Sequence, residues 1–323
     1  MHTIFIFPFC AQSAPHKTYT AFRYAPPYAE DALRQMAADG VKRAVAFSQY
    51  PHYSCTTAGS SFNNLWRELY RLGMETDFEW SVLDRWPTHP TFIKALTQRV
   101  QQGLATVPEP VRAQTIVVFT AHSVPMKVVN KGDQYVSEVA ATAHAVMAEL
   151  HAQQGPAAPQ QRNTHVLAWQ SKVGFLPWMG PSTSDVLKNL ARQGHKHVLM
   201  VPIAFTSDHI ETLFEIDIEY AEEAHEAGIV TFARAPSLND SELLTTAQAE
   251  LVAEHLASGS VCTPQYRLNC AGCVNPACRT VLNPVGGEPY SKLRDSYGQE
   301  GGVRSWPQAD DIESFRQSPE RTA

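Results

Sequence analysis

The sequence predicts an α/β protein whose parallel sheets are flanked by helices, arranged as two Rossmann-like halves. Three observations carry this. Short apolar runs alternate with amphipathic stretches along most of the chain, the pattern that places helices on both faces of parallel sheets. The run His197-Val198-Leu199-Met200-Val201-Pro202-Ile203-Ala204-Phe205 is apolar without alternation, as a strand covered on both faces should be. The 323 residues are 44% hydrophobic and 18% charged, enough to bury a sizeable core.

Candidate strands are 19–23, 43–48, 78–82, 115–120, 164–169, 197–204 and 229–232. Candidate helices are 29–39, 60–72, 89–103, 134–151, 183–193, 209–227 and 240–258. Val107-Pro108-Glu109-Pro110 is a plausible boundary between the halves. The opening His2–Phe9 is apolar but too short to span a membrane, and it lacks a basic start or a cleavage site. It reads as an odd start or a strand remnant. Residues 152–163 form a polar loop rich in Pro and Ala. Residues 283–323 lack any apolar period and read as a disordered tail. The net charge of −6 argues against a nucleic-acid partner. No glycine-rich phosphate loop is present.

In open α/β sheets ligands bind beyond the carboxyl ends of the strands. Those ends carry Phe22-Arg23-Tyr24, Tyr50-Pro51-His52-Tyr53, Asp84-Arg85-Trp86, Ala121-His122-Ser123, Trp169-Gln170-Ser171 with Trp178 shortly after, and Phe205-Thr206-Ser207-Asp208-His209. Aromatic rings with a few polar groups collected at one edge suit a wide, flat, apolar ligand. His122 is either a satisfied structural residue or a base facing the cleft. Ser207 or Asp208 is a natural helix cap, and acids in the first turn suit the helix dipole. That account leaves Glu211, Glu215 and Glu219 unexplained: they repeat every four residues on a helix whose other faces carry Leu213, Phe214, Ile216, Ile218 and Tyr220. The helix therefore reads as largely buried, and the acidic ladder as a path for a divalent ion or for protons.

Six cysteines occur, at 10, 55, 262, 270, 273 and 278. Cys270-x2-Cys273-x4-Cys278 is too tightly packed for a disulfide framework and reads as a metal site needing a fourth soft ligand. Cys55 is the candidate, with Cys262 and Cys10 as alternatives. Spacing alone leaves zinc and iron–sulfur open.

The motifs Tyr50-Pro51-x-Tyr53-Ser54-Cys55, Asp84-Arg85-Trp86-Pro87-Thr88-His89, Ala121-His122-Ser123, Trp169-Gln170-Ser171-Lys172-Val173-Gly174 and Pro202–Leu213 closely resemble those of the ferrochelatases. The cysteine cluster resembles that of the animal and fungal members. The resemblance covers roughly Ala14 to Arg279. It implies a chelatase-type fold, insertion of Fe2+ into protoporphyrin IX with release of two protons, and a [2Fe-2S] cluster on Cys55, Cys270, Cys273 and Cys278. It implies His122, His209 and Glu211 as catalytic residues and Glu215 and Glu219 as the acidic path. Arg23, Tyr24, Tyr50, Ser54, Trp86, Trp178, Phe205 and Asp208 would line or support the porphyrin cleft. A homodimer with peripheral contact at the matrix side of the mitochondrial inner membrane is implied as well. The expected organisation is a first domain over 1–109, a second over 110–282 and the tail. Members of the family normally begin with a further strand, a Gly-rich loop and a helical lip. The first domain is therefore expected to be incomplete, and an inactive porphyrin- or cluster-binding descendant is the alternative function.

Overall fold

The computed structural model describes residues 3–7, 17–74, 76–155 and 162–260, together with Cys262, Thr263, Cys270 and Gly272; residues 3–7 are described as backbone. The predicted tail, Cys10, Cys273 and Cys278 fall outside the described residues, as do residues 156–161 of the polar loop. The elements run β1 Thr3–Phe7, β2 Tyr19–Phe22, α1 Ala29–Ala38, β3 Arg43–Ser48, α2 Ala58–Leu72, β4 Glu79–Leu83, α3 Pro90–Thr106 and α4 Glu109–Arg112. They continue with β5 Ile116–His122, α5 Met126–Val129, α6 Tyr135–Gln153, β6 His165–Gln170, α7 Thr183–Arg192, β7 His197–Pro202 and α8 Ile210–Leu213. A π-helical turn Glu215–Tyr220 follows, then α9 Ala221–Ala227, β8 Thr231–Arg234 and α10 Glu242–Ser258.

Two four-stranded sheets result, with orders β2-β1-β3-β4 and β6-β5-β7-β8. All pairings in the second are parallel. In the first, β3 and β4 are parallel, and β1 runs antiparallel to both neighbours, with Ile4 opposite Ala21 on one side and Ser48 on the other. The apolar start is thus a central strand of reversed direction. An antiparallel neighbour can be reached through a short link, whereas a parallel one needs a crossover of roughly a dozen residues or more.

The largest buried cluster joins both sheets: Phe47, Leu83 and Trp86 pack with Phe92 and Leu96 of α3, Phe119 of β5, Val139 and Leu150 of α6 and Leu199 of β7. Each fully buried Phe or Leu in it contributes roughly 1.5–3 kcal/mol. α3 lies close against the second sheet because residue 103 is glycine. A Cβ there would sit 2.7 Å from the Leu199 side chain and 3.0 Å from the Ala235 backbone.

A charged network crosses between the halves. The Arg85 guanidinium donates to both Asp84 oxygens at 3.2 Å and to Glu138 of α6 at 2.8 Å, and the Tyr53 amide donates to Glu138 at 2.7 Å. One cation faces two buried carboxylates, so the network holds a proton in place of a second positive charge. Burial pushes Glu138 up to about 7, against the opposing pull of Arg85.

Candidate active site

The site is assembled where β5, β6 and β7 end. His122 closes β5 and stands in register with Gln170, the last residue of β6. The chain after β7 turns through Phe205 and Asp208 to His209, which caps α8. The two imidazoles differ in what their hydrogen bonds permit. His122 Nδ1 lies 2.6 Å from the Ser123 carbonyl oxygen. A carbonyl can only accept, so in the neutral ring Nδ1 carries the hydrogen and Nε2 the lone pair. His209 Nδ1 accepts the Glu211 amide hydrogen at 3.1 Å, which puts the ring hydrogen on Nε2. Burial lowers the His209 pKa, with the charge of His122 contributing, so the neutral form is favoured. Two histidines at one edge thus present one acceptor and one donor.

Burial raises the Glu211 carboxyl above the usual carboxylate range; His122 opposes this and the charge of Glu215 adds to it. Ser171 Oγ lies 2.6 Å from Glu215 Oε2 and 3.3 Å from Glu211 Oε2. Gln170 Nε2 donates to Glu215 at 3.1 Å and to the Glu211 carbonyl at 2.8 Å. Its amide orientation follows from the Thr120 hydroxyl, which donates to Gln170 Oε1 at 2.7 Å. Ser171 reaches the acids from a left-handed backbone, φ 62°. Such a conformation in a non-glycine costs about 1–3 kcal/mol and persists where the surroundings impose it.

The expectation of a largely buried acidic helix is corrected. Thr212, Ile216 and Tyr220 are buried, but Leu213, Phe214 and Ile218 are each about half exposed, at 52%, 51% and 47%. Glu211 and Glu215 are half-buried and Glu219 is exposed, so the ladder runs from the cleft to solvent. In an uninterrupted α-helix, eight residues at about 100° each would leave Glu219 about 80° away from Glu211. The wider π turn takes back part of that drift and keeps the three carboxylates closer to one face.

Of the expected cleft residues, Tyr24 is exposed, and Arg23, its guanidinium 4.8 Å from the Tyr24 ring centre, is half-buried. Burial raises the Tyr50 hydroxyl pKa, and the charges of Glu211 and Tyr24 add to this, which ties Tyr50 electrostatically to the site. Trp178 packs 6.2 Å from His122, its buried indole nitrogen without a partner among the described residues. Phe205 meets His209 edge-on at 4.5 Å. Three residues act as supports. Trp86 is buried at 3% exposure, stacked on Phe47, with its indole donating to the Ser48 carbonyl. Ser54 is fully buried against Asp133. Asp208 accepts from Thr212, Arg234, Ser237 and Asn239, which secures the turn before His209. Sequence reasoning assigned no role to Gln170, Ser171 or Tyr135. Tyr135 is buried at the start of α6; burial raises its hydroxyl pKa, and the charge of Glu211 adds to it. Gln170 and Ser171 were visible in a recognised motif, but nothing marked them as holding the acids.

Cys55 and the residues around Gly272 both approach the loop before α6. The Cys55 amide donates to Asp133 at 2.8 Å, and the Gly272 amide to the Lys131 carbonyl at 2.8 Å. A Cβ on Gly272 would lie 3.2 Å from Lys131 Cα, so the segment containing Cys270 runs close against residues 130–131. Cys55 and Cys270 are both half-buried. Cys262 instead bridges to Val82 at the edge of β4, and burial raises its thiol pKa. Among the described residues no three potential ligands converge on one ion, two of the four expected thiolates lying outside them.

Two helix-flanked sheets of this kind form a chelatase-type α/β fold. SirB from Bacillus subtilis, solved with Fe3+, has the same fold, with a TM-score of 0.52 at 12% identity over 73% of this chain and 81% of that one. A family-wide sequence model described as Ferrochelatase matches residues 9–256. The chain is 47% identical to the mitochondrial ferrochelatase of Gallus gallus over 269 residues, 83% of this chain and 65% of that protein. It is 47% identical to that of Schizosaccharomyces pombe over 85% and 62% of the two chains, and 46% identical to that of Homo sapiens over 83% and 61%. The chain belongs to the ferrochelatase family, and it spans less than two thirds of the length of these relatives.

Proposed function

We propose that this protein inserts Fe2+ into protoporphyrin IX, forming protohaem and releasing two protons, the terminal step of haem biosynthesis. One observation carries the reading: His122 presents a lone pair beside a carboxylate ladder that leads to solvent. His122 Nε2 accepts a pyrrole proton, and the neighbouring Glu211 stabilises the imidazolium that forms. The ladder Glu211, Glu215, Glu219 passes protons outward, with Ser171 and Gln170 holding the inner two carboxylates. His209, as a donor, holds the edge of the macrocycle, with Tyr24, Trp178 and Phe205 along its faces. Fe2+ is a substrate in this scheme. Residues 1–109 and 110–282 form the two sides of the cleft.

Cys55, Cys270, Cys273 and Cys278 hold a [2Fe-2S] cluster. The convergence of Cys55 and the Cys270–Gly272 segment on residues 130–133 supports this. A cluster held by these four thiolates would supply a one-electron centre beside the loop before α6. The names of the relatives support location in mitochondria, and the proposal places the protein on the matrix side of the inner membrane. Among the described residues no helix is long and apolar enough to cross a membrane. Val173, Phe175 and Leu176, exposed at 70%, 106% and 67%, form an apolar loop before Trp178 that suits peripheral lipid contact. A homodimer completes the proposal.

The test is anaerobic incubation of purified protein with Fe2+ and protoporphyrin IX, followed by the haem Soret band. Turnover that is lost in His122→Ala and retained in His225→Ala supports the assignment. Porphyrin binding without any turnover would overturn it in favour of a binding descendant.

A further inference from the structure

The π turn Glu215–Tyr220 carries the two outer rungs of the acidic ladder, and packing holds it on one side only. Ile216 and Tyr220 are buried, whereas Phe214 and Ile218 stand half exposed. Polar ties supply the rest. On one side lies the end of β6, where Ser171 and Gln170 hold Glu215. On the other, Arg234, the last residue of β8, donates through Nε to Asp217 Oδ1 at 2.6 Å and through Nη2 to Asp217 Oδ2 at 2.9 Å. β6 and β8 are the two edges of the second sheet. Two residues apart at about 100° each, Glu215 and Asp217 project to nearly opposite sides of the helix, so the turn is gripped from both.

Arg234 engages a second acid as well. Its Nη1 donates to Asp208 Oδ1 at 3.0 Å, so one guanidinium joins the turn before His209 to the π turn beyond α8. The Arg234 side chain is 16% exposed, and those of Asp217 and Asp208 are 34% and 26% exposed. An isolated surface pair is worth little, but a part-buried fork that takes both oxygens of one carboxylate and one of another fixes geometry as well as charge. Asp208 keeps three other donors, Thr212, Ser237 and Asn239, so its turn stands without Arg234. The bidentate half of the fork falls on Asp217, and the π turn is what Arg234 chiefly braces. A π turn is rare in α-helices and occurs mostly at functional sites.

We propose that Arg234 is a positioning residue for the proton outlet: gripping Asp217 and Asp208 together, it holds the π turn in register and keeps Glu215 and Glu219 in line. Released, the turn relaxes toward α geometry and Glu219 swings away from the inner carboxylates. The inference rests on the reading that the ladder carries protons out of the cleft. It extends that reading to a residue that acts through the helix backbone and not on the porphyrin.

The experiment compares the native full chain with Arg234→Gln, Asp217→Asn and the double variant, by turnover in light and heavy water and by amide hydrogen exchange. Each single variant should lower kcat about tenfold with the KM for porphyrin unchanged. The solvent isotope effect on kcat should rise, because proton exit becomes the slow step; a smaller folded fraction would leave it as it was. Amide exchange over residues 214–221 should quicken about tenfold while that of β5 and β7 stays the same. The double variant should be no worse than either single one, as for two ends of one interaction. Lys188→Gln, which breaks the exposed pair with Glu223 of α9, should leave turnover unchanged. Additive losses, a fall in kcat with an unchanged isotope effect, or unchanged exchange over 214–221 overturns the brace. Should Arg234→Gln fail to fold, Asp217→Asn, at the more exposed end of the pair, carries the same test. Absence of turnover in the native chain would sink the proposed activity, and the exchange result then decides the brace alone.

Discussion

Glu138 and His52 set opposite pH dependences in one buried region, and separating them tests the charge balance between the two halves. Glu138 holds its proton to about pH 7 in the folded chain, against 4.5 as an ordinary carboxyl. Between those values the folded state binds more protons than the unfolded one, so Glu138 makes stability fall as pH rises, by about 1.4 kcal/mol per unit. His52 is fully buried, its Nε2 2.8 Å from the Thr142 hydroxyl oxygen, and burial lowers its pKa from 6.5 to about 3. Below pH 6.5 the unfolded state binds the extra proton, so His52 makes stability rise with pH over that window. From pH 4.5 to 6.5 the two slopes nearly cancel in the native protein. Glu138→Gln removes one of them. Its stability, from urea unfolding, should rise by about 3 kcal/mol between pH 4.5 and 6.5 relative to the native protein's own change over that interval. His52→Gln should show the mirror image, falling by a similar amount. The comparison between chains removes the contribution of every other titrating group. A pH profile of Glu138→Gln parallel to the native one would refute the claim that the network carries a proton.

Glu138→Ala leaves Arg85 paired with Asp84 but removes the acceptor of an Arg85 N–H and of the Tyr53 amide, so it should cost about 2–6 kcal/mol at pH 7, read from the urea midpoint. Gly103→Ala forces a methyl against Leu199 and the Ala235 backbone and should destabilise by about 1–3 kcal/mol in the same assay, with a proportionate fall in Tm. Ser171→Ala removes a charge-assisted hydrogen bond to Glu215 and weaker support of Glu211. Turnover should fall about tenfold, and the ionisation governing kcat/KM should move to higher pH, because Ser171 holds Glu211 down. For the cluster, Cys55→Ala should abolish visible [2Fe-2S] absorption, while Cys262→Ala, at the edge of β4, should leave it unchanged.

The strands and helices were legible because both halves obey simple periodicities. The unbroken apolar run at 197–205 is a doubly covered strand, and His122 was found because it ends one. Residues 3–7 were legible only as an apolar scrap, since strand direction depends on neighbours that arrive later in the chain. The acidic ladder shows the limit more sharply. Its spacing of four announced one face, but whether that face is buried depends on the partners of Leu213, Phe214 and Ile218, and these have too few to cover them. The functional difference between the histidines was out of reach for the same reason. His122 and His209 are the same residue type at the same edge of one sheet, one ending β5 and the other capping α8. What separates them is a carbonyl at Ser123 in one case and an amide at Glu211 in the other, both set by local backbone turns that no residue pattern encodes. A carbonyl partner frees a lone pair and an amide partner consumes one. The acceptor in the proposed reaction is thus chosen by the backbone, and replacing either turn, with both imidazoles intact, would alter which ring can take the proton.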